Sequence, residues 1–217
     1  MPSSPRTRAL LIDIGNVVVW DPRPRIVREF LRRKPVDPVR LPSAYYRIAL
    51  RMASGSLRLR DAYREIRHQL PRSLSYSDFR DLVGRRSLHP VPGVLPALRA
   101  LHHQGAVRIV YASNVEPVTW SGLRRKFHLD ECADGAALSF RLRSLKPARR
   151  FFTAAIRITR VPPSEIFYLD DLPENIRAAR ALGISARRVR SPADTLAILR
   201  KLRTEITPGA ERSIQSM

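Results

Sequence analysis

The chain has 217 residues, and its 44% hydrophobic content excludes global disorder and suits one α/β domain with an insertion, or two small domains. A net charge of +21 is compatible with a polyanion partner, but residues 1–90 and residues 91–203 each carry a net charge of +11, so no basic arm concentrates it. Only four of the 40 basic residues are lysine, which indicates a compositional preference for arginine. We therefore expect no specific nucleic-acid partner.

The cellular setting follows from what the sequence does not contain. A single cysteine, Cys132, excludes an internal disulfide, and the first residues lack the apolar core of a signal peptide. No run reaches the roughly 20 apolar residues that span a bilayer. We expect a cytoplasmic protein without a membrane partner, as a monomer or a dimer.

The first predicted element is a buried strand, in which four apolar residues at 9–12 run directly into Asp13. Gly15 and Asn16 then break the strand where the backbone has to turn. An acid delivered by a buried strand to its carboxyl end lies where open α/β sheets bind ligands.

Residues 21–90 are predicted to form a small all-α insertion, because apolar residues recur there at helical spacing between turn signals. The apolar stretches lie near residues 26–31, 44–52, 62–70 and 79–83. Five side chains fit either a substrate-lining surface or a helical core with a solvated rim: Tyr45, Tyr46, Arg47, Arg51 and Tyr63.

From residue 91 onward, predicted helices and strands alternate, which is typical of parallel βαβ units. The helices are predicted at 94–105, 117–127, 147–158, 173–182 and from 192, and the strands at 107–112, 133–138, 165–169 and 184–189. The fold class is therefore α/β, a Rossmann-like parallel sheet flanked by helices, with a small all-α cap inserted after the first strand. We assign the core domain to 1–20 and 91–203, the cap to 21–90 and a flexible tail to 204–217.

Polar side chains follow several of these strands, in the order Asp13, Ser113, Lys146 and Asp170-Asp171. This order resembles the haloacid dehalogenase-like (HAD) superfamily over residues 8–203. The variant Asp-x-Gly-Asn-Val of the first motif, together with Ser139 seven residues before the lysine, resembles a branch of small-metabolite and sugar phosphatases. The four motifs are Asp13-Ile-Gly-Asn-Val, Ser113, Lys146-Pro, and Asp170-Asp-Leu-Pro-Glu-Asn175.

The chemistry of phosphate esters explains why carboxylates, a lysine and a hydroxyl would be needed together. Phosphate monoesters hydrolyse very slowly in water, and a carboxylate nucleophile divides the reaction into two easier steps. Mg²⁺ prefers oxygen ligands and relieves the repulsion between that carboxylate and the phosphate. The resemblance implies Asp13 as nucleophile and Lys146 as a second catalytic residue, a phosphate site of Ser113, Asn114 and Lys146, and a Mg²⁺ site of Asp13, Gly15, Asp170 and Asp171.

Each of these residues also has an ordinary structural role. Ser113 fits a helix cap, Lys146 fits a solvated surface charge, and Asp170 with Asp171 fits a pair that caps the following helix. Asn175 fits a loop tether better than a substrate contact. The occurrence of all four motifs in order favours a phosphate-handling acidic site.

Gly15 departs from the pattern of most phosphatases in the superfamily, which carry at this position the aspartate that protonates the leaving group. The Gly15 carbonyl still suits a Mg²⁺ contact, and Asp21 or water is a candidate proton donor. The true dehalogenases of the superfamily also lack this aspartate and need no Mg²⁺, but Asp170 and Asp171 would repel Asp13 without a metal between them.

Arg143 is a second departure, since the branch usually has glycine three residues before the lysine. Either the loop is rebuilt, or the arginine reaches an anionic substrate, or it is a surface residue. We expect a Mg²⁺-dependent phosphatase that cleaves a small phosphorylated metabolite, possibly a sugar phosphate, through an aspartyl-phosphate on Asp13. The alternative is a catalytically weak or silent relative that binds an anionic partner.

Overall fold

A five-stranded parallel sheet forms the centre of the structure, a computed structural model that describes residues 7–20, 40–70, 72, 74–84 and 88–206. The strand order is β5-β4-β1-β6-β7, and β2 pairs with β3 in a separate antiparallel ribbon. This architecture confirms the α/β class. The strands are β1 (Ala9–Ile12), β2 (Val19–Trp20), β3 (His89–Pro90), β4 (Arg108–Ser113), β5 (Gly135–Leu138), β6 (Ile166–Asp170) and β7 (Ser185–Arg188).

The register of the three central strands aligns their carboxyl ends. Ile12 at the end of β1 lies opposite Tyr111 of β4 and Leu169 of β6. The polar residues that follow these positions therefore meet at one edge of the sheet, as Asp13, Ser113 and Asp170 were predicted to do.

Helices cover both faces of this sheet, because successive side chains of a strand point to opposite faces. On one face Leu10 and Ile12 pack with apolar residues of α4, α5 and α9, and on the other face Ala9 and Leu11 pack with those of α7 and α8. The helices are α1 (Arg40–Ala53), α2 (Leu59–Ile66), α3 (Tyr76–Gly84), α4 (Val94–His103), α5 (Pro117–Phe127), α6 (Ser139–Leu142), α7 (Arg149–Thr159), α8 (Pro173–Arg180) and α9 (Pro192–Ile206).

Helices α1 to α3 surround an apolar cluster of their own, which includes Ile48, Met52 and Phe79. Two hydroxyl groups connect this helical segment to the rest of the chain. Ser139 Oγ donates to the Ala53 carbonyl at 2.6 Å, and Thr119 Oγ1 donates to the Val83 carbonyl at 2.9 Å. The helices confirm the helical reading of 44–83, whereas the predicted helix at 26–31 lies outside the described residues and the cap boundaries stay a prediction.

Three features differ from the expectations of the sequence. The β2–β3 ribbon and α6 were not predicted, because pairing over two residues and a four-residue helix leave no periodic pattern. Helix α9 continues to Ile206, so the tail predicted from residue 204 begins too early. Among the described residues, no helix has both the length and the apolar character needed to cross a membrane.

Candidate active site

Three carboxylates from two neighbouring strands come together at the carboxyl edge of the sheet. Asp13 follows β1, Asp170 ends β6, and Asp171 is the next residue. One oxygen from each of them lies within 4.8 Å of the others. Asp13 and Asp170 are buried, at 7% and 0% exposure, so the cluster is held inside the protein and not on a solvated face.

Lys146 connects two of these acids. Its Nζ lies 2.8 Å from Asp13 Oδ1 and 2.6 Å from Asp170 Oδ2, and it donates a third bond to the Ala112 carbonyl at 2.8 Å. The three protons of the ammonium group therefore have acceptors on β4, after β1 and on β6. The structure contradicts the reading of Lys146 as a solvated surface charge, because its side chain is 2% exposed.

Asp170 is held by four donors. Its Oδ2 accepts from Lys146 Nζ and from the Tyr168 hydroxyl, and its Oδ1 accepts from the Leu172 amide at 2.8 Å and from Asn175 Nδ2 at 2.9 Å. Both oxygens thus have protein partners, and these contacts suit a residue that orients Lys146. The predicted role of Asp170 as a metal ligand stays a prediction.

Asp171, by contrast, lines a cleft of about 250 Å³ together with Asp13, Gly15, Ser113 and Lys146. Asp171 Oδ2 accepts a bond of 3.0 Å from Asn16 Nδ2. The cleft is therefore the place where a substrate group could meet both the nucleophile candidate and a second carboxylate.

The last residue of β4, Ser113, and the residue that follows it, Asn114, contribute differently. Ser113 is buried and lines the cleft, as expected for a phosphate contact. The side chain of Asn114 instead binds the backbone of Lys146: Oδ1 accepts from its amide at 2.8 Å, and Nδ2 donates to its carbonyl at 3.0 Å. Asn114 thereby anchors the loop that carries Lys146, and its contribution to a phosphate site stays a prediction.

Gly15 and Asn16, which interrupt the strand pattern, form the turn after Asp13. Gly15 lines the cleft, and a Cβ placed on it would meet no heavy atom within 4 Å. Asn16 has φ 57°, a left-handed conformation that asparagine tolerates better than most residues. Its side chain reaches Asp171 from this conformation, so Asn16 is a site residue that sequence reasoning read only as a strand breaker.

Burial and repulsion shape the protonation of the cluster. Burial, followed by the nearby charges of Asp170 and Asp171, raises the pKa of Asp13 to about 7, although Lys146 opposes the shift. Burial and the charge of Asp170 also raise the pKa of Asp171, against the bond from Asn16. Burial would lower the pKa of Lys146, but its two carboxylate partners outweigh that effect and raise it.

The donor set fits a divalent cation. When all three carboxylates are ionised, they and the ammonium group of Lys146 leave two negative charges without a counter-charge among the described residues. The charges of Asp170 and Asp171 add to burial in raising the pKa of Asp13. Mg²⁺ takes oxygen ligands and supplies two positive charges. Asp13 and Asp171 line the cleft where such an ion would be held, and Gly15 lies beside them.

Two residues singled out by the branch pattern have structural roles. The buried Ser139 hydroxyl accepts from the Val115 amide at 3.0 Å in addition to its bond to Ala53. Arg143 is exposed and has φ 49°, a left-handed conformation that explains why glycine suits this position. It ends α6, and its exposure agrees with the reading as a surface residue.

Several candidates for a substrate-lining surface are used within the helical segment. Arg51 pairs with Glu65 at 2.6 Å, and the Tyr63 hydroxyl donates to the Leu74 carbonyl at 2.9 Å. Tyr46 is exposed. Asp21, the candidate proton donor, lies outside the described residues.

Tyr168 is the second site residue that sequence reasoning missed. It is fully buried within β6, two residues before Asp170, and its hydroxyl donates to Asp170 Oδ2. Burial and the charge of Asp170 raise its pKa well above the usual range, so the hydroxyl keeps its proton. The i to i+2 spacing, which places both side chains on one face of a strand, was the available indication.

The doubly covered parallel sheet, with an acidic cleft at its carboxyl edge, is an α/β architecture of the kind that binds ligands at this edge. A sequence model described as haloacid dehalogenase-like hydrolase matches residues 7–183. The chain therefore belongs to the haloacid dehalogenase-like hydrolase family. No curated protein matches it in sequence.

Solved structures share this fold at low sequence identity. A HAD family enzyme from Bacteroides thetaiotaomicron, an aspartate-to-alanine mutant in complex with magnesium and inorganic phosphate, has 21% identity and a TM-score of 0.72, with 85% of this chain and 95% of that chain covered. A HAD-like family hydrolase from Porphyromonas gingivalis has 20% identity and a TM-score of 0.74, with 91% and 98% covered.

A dehalogenase also appears among the similar structures. The L-2-haloacid dehalogenase from Xanthobacter autotrophicus, with chloropropionic acid covalently bound, has 17% identity and a TM-score of 0.61, with 84% of this chain and 77% of that chain covered. At these identities the likeness establishes the fold, and the choice of reaction has to come from the residues of the cleft.

Proposed function

We propose that this protein is a Mg²⁺-dependent phosphatase that hydrolyses a small phosphorylated metabolite. The observation that carries the proposal is the acidic cluster beside Ser113, in which two negative charges have no counter-charge among the residues that the structure describes. A divalent cation and a phosphate group together suit such a cleft, because the cation offsets both the carboxylates and the ester.

Asp13 is the nucleophile of this proposal. Its carboxylate attacks phosphorus, the bond from phosphorus to the ester oxygen breaks, and an aspartyl-phosphate forms on Asp13. The ester group leaves as a phenolate, or as an alcohol that takes a proton from water. Water then hydrolyses this acyl phosphate, which releases inorganic phosphate and restores the carboxylate. Lys146 holds Asp13 Oδ1 at 2.8 Å and places positive charge next to the phosphoryl group.

Ser113 and the metal site complete the arrangement. Ser113 lines the cleft, and in this proposal its hydroxyl would donate to a phosphoryl oxygen. Asp13 and Asp171 would hold the Mg²⁺ with the Gly15 carbonyl, and Asp170 serves as a ligand or as the residue that orients Lys146. When bound, Mg²⁺ reduces the repulsion between the nucleophile and the phosphate and polarises the phosphoryl group.

A dehalogenase is the competing reaction within the family, and Gly15 favours it because a halide leaves without a proton. The acidic cluster opposes it. A carboxylate that displaces halide has to be ionised, yet burial, together with the charges of Asp170 and Asp171, raises the pKa of Asp13 to about 7. The phosphatase accounts for both acids through the cation, and so it is the function that the cleft supports better.

Hydrolysis of an aryl phosphate with and without Mg²⁺ tests the proposal, in the wild type and in Asp13→Asn. We expect activity only with Mg²⁺ and only with Asp13 intact, because asparagine cannot form the aspartyl-phosphate. Asp130→Asn is a matched control, an exposed aspartate remote from the cleft that pairs with Arg124. Equal activity in Asp13→Asn and wild type, or release of halide from a 2-haloacid in place of phosphate release, would overturn it.

A further inference from the structure

A second concave surface lies beside the catalytic cleft, and arginine supplies five of its eight described lining residues. It is a groove of about 550 Å³ between α8, the edge strand β7 and the start of α9. Among the described residues, no residue lines both the groove and the cleft. Its charged residues are Arg177, Arg180, Arg187, Arg188, Arg190 and Asp194.

The arginine groove concentrates five guanidinium side chains on one surface, with a single acid among its described lining residues. Elsewhere in the chain, arginines such as Arg8, Arg64 and Arg99 form ion pairs with acids at 3.0–3.2 Å. Within the part of the chain that the structure describes, none of the five groove arginines forms such a pair. All five are exposed, and Asp194 is the one acid in the lining.

Two of the arginines are fixed in place by backbone carbonyls. Arg180 donates to the Ala186 carbonyl from Nε at 3.1 Å and from Nη2 at 2.7 Å, and Arg188 Nε donates to the Asp171 carbonyl at 3.0 Å. These bonds hold like charges beside one another at a strand edge. Such an arrangement is unfavourable alone and becomes favourable when an anion with several charges lies between them.

We propose that this groove binds a compact ligand that carries two or more phosphate groups. Guanidinium groups match phosphate oxygens in a bidentate manner, and the volume is in the range of roughly 300–1,000 Å³ that small ligands occupy. Single-stranded nucleic acid fits less well, because its bases stack on aromatic side chains and none of the described lining residues is aromatic. The proposal concerns a site separate from the cleft and holds whether or not the cleft is a phosphatase.

Titration with inorganic triphosphate by calorimetry, without divalent cations, tests the groove. The test variant is Arg187→Gln with Arg190→Gln, which removes two groove charges and spares the two arginines bonded to carbonyls. The control is Arg157→Gln with Arg200→Gln, which removes two charges from exposed arginines outside the groove. Thermal melts of both variants verify the fold.

We expect one triphosphate per chain, bound at least tenfold more weakly by the test variant and within twofold of wild type by the control. Orthophosphate should bind much more weakly than triphosphate, because it spans fewer arginines. Equal weakening in both variants, or no measurable binding, would overturn the proposal. Tighter binding of a single-stranded oligonucleotide that depends on Arg187 and Arg190 would replace the compact ligand by nucleic acid.

Discussion

Replacing Gly15 by aspartate should restore a proton donor to the cleft. The substitution has room, because a Cβ at Gly15 would meet no heavy atom within 4 Å, and Gly15 already lines the cleft beside Asp13. Its backbone is not in the left-handed region, so a side chain adds no strain there. The new carboxyl group would stand close to the ester oxygen of a substrate attacked by Asp13.

The size of the effect follows from what proton donation contributes to catalysis. A positioned acid accelerates the bond-breaking step by about 10²–10⁴, which corresponds to roughly 2.7–5.4 kcal/mol in the barrier. Aryl phosphates leave as stabilised phenolates and need little of this help, whereas alkyl and sugar phosphates need most of it. We therefore expect Gly15→Asp to raise kcat/KM for alkyl esters by about 10²-fold or more and to change it little for aryl esters.

The assay is kcat/KM for a series of phosphate esters with rising leaving-group pKa, in wild type and Gly15→Asp. Gly15→Asn is the matched control, since it has the same size and cannot donate a carboxylic proton. The wild type should show a steep decline as the leaving-group pKa rises, and Gly15→Asp a shallow one. A flat dependence in the wild type, or an equal gain in Gly15→Asn, would refute the reasoning and direct attention to Asp21→Asn.

Three further outcomes are expected. Asp13 must lose a proton to bind Mg²⁺, and burial raises its pKa to about 7. The apparent Mg²⁺ Kd measured by calorimetry should therefore rise about tenfold per pH unit below pH 7 and level off above it. A Kd independent of pH would exclude Asp13 as a ligand. Tyr168→Phe removes a hydroxyl that donates to Asp170, so urea unfolding curves should show a free energy of unfolding lower by about 1.5–3 kcal/mol. An unchanged free energy of unfolding would contradict that hydrogen bond. Arg143→Gly should raise Tm by about 2 °C with KM unchanged, since it relieves a left-handed arginine; a higher KM would instead show a substrate contact.

The helices and strands that show a regular apolar pattern could be predicted from the sequence. The alternating helices and strands after residue 91 give the parallel sheet, and the apolar run before Asp13 gives its central strand. The bounds of α5 agree with the prediction, because Pro117 marks its first turn and a polar, left-handed residue, His128, follows its end. The two-residue ribbon β2–β3 depends on contacts between residues distant in sequence and left no such pattern.

The site shows the same division. The convergence of Asp13, Ser113, Lys146 and Asp170 could be anticipated, since strand ends in a parallel sheet share an edge. The individual hydrogen bonds within the site could not be anticipated, because they depend on side-chain geometry. The side-chain amide of Asn114, for example, forms two hydrogen bonds with the backbone of Lys146, which is 32 positions away in the sequence.

The position of Lys146 has a consequence for how any variant of this residue should be interpreted. Its ammonium group ties together the ends of three adjacent strands, through the Ala112 carbonyl of β4, Asp13 after β1 and Asp170 of β6. Without that charge, two buried carboxylates would face each other, a change that typically costs several kcal/mol. Inactivity of a Lys146→Met protein would thus report a loosened sheet edge as much as lost chemistry, and only an unfolding measurement on the same sample separates the two.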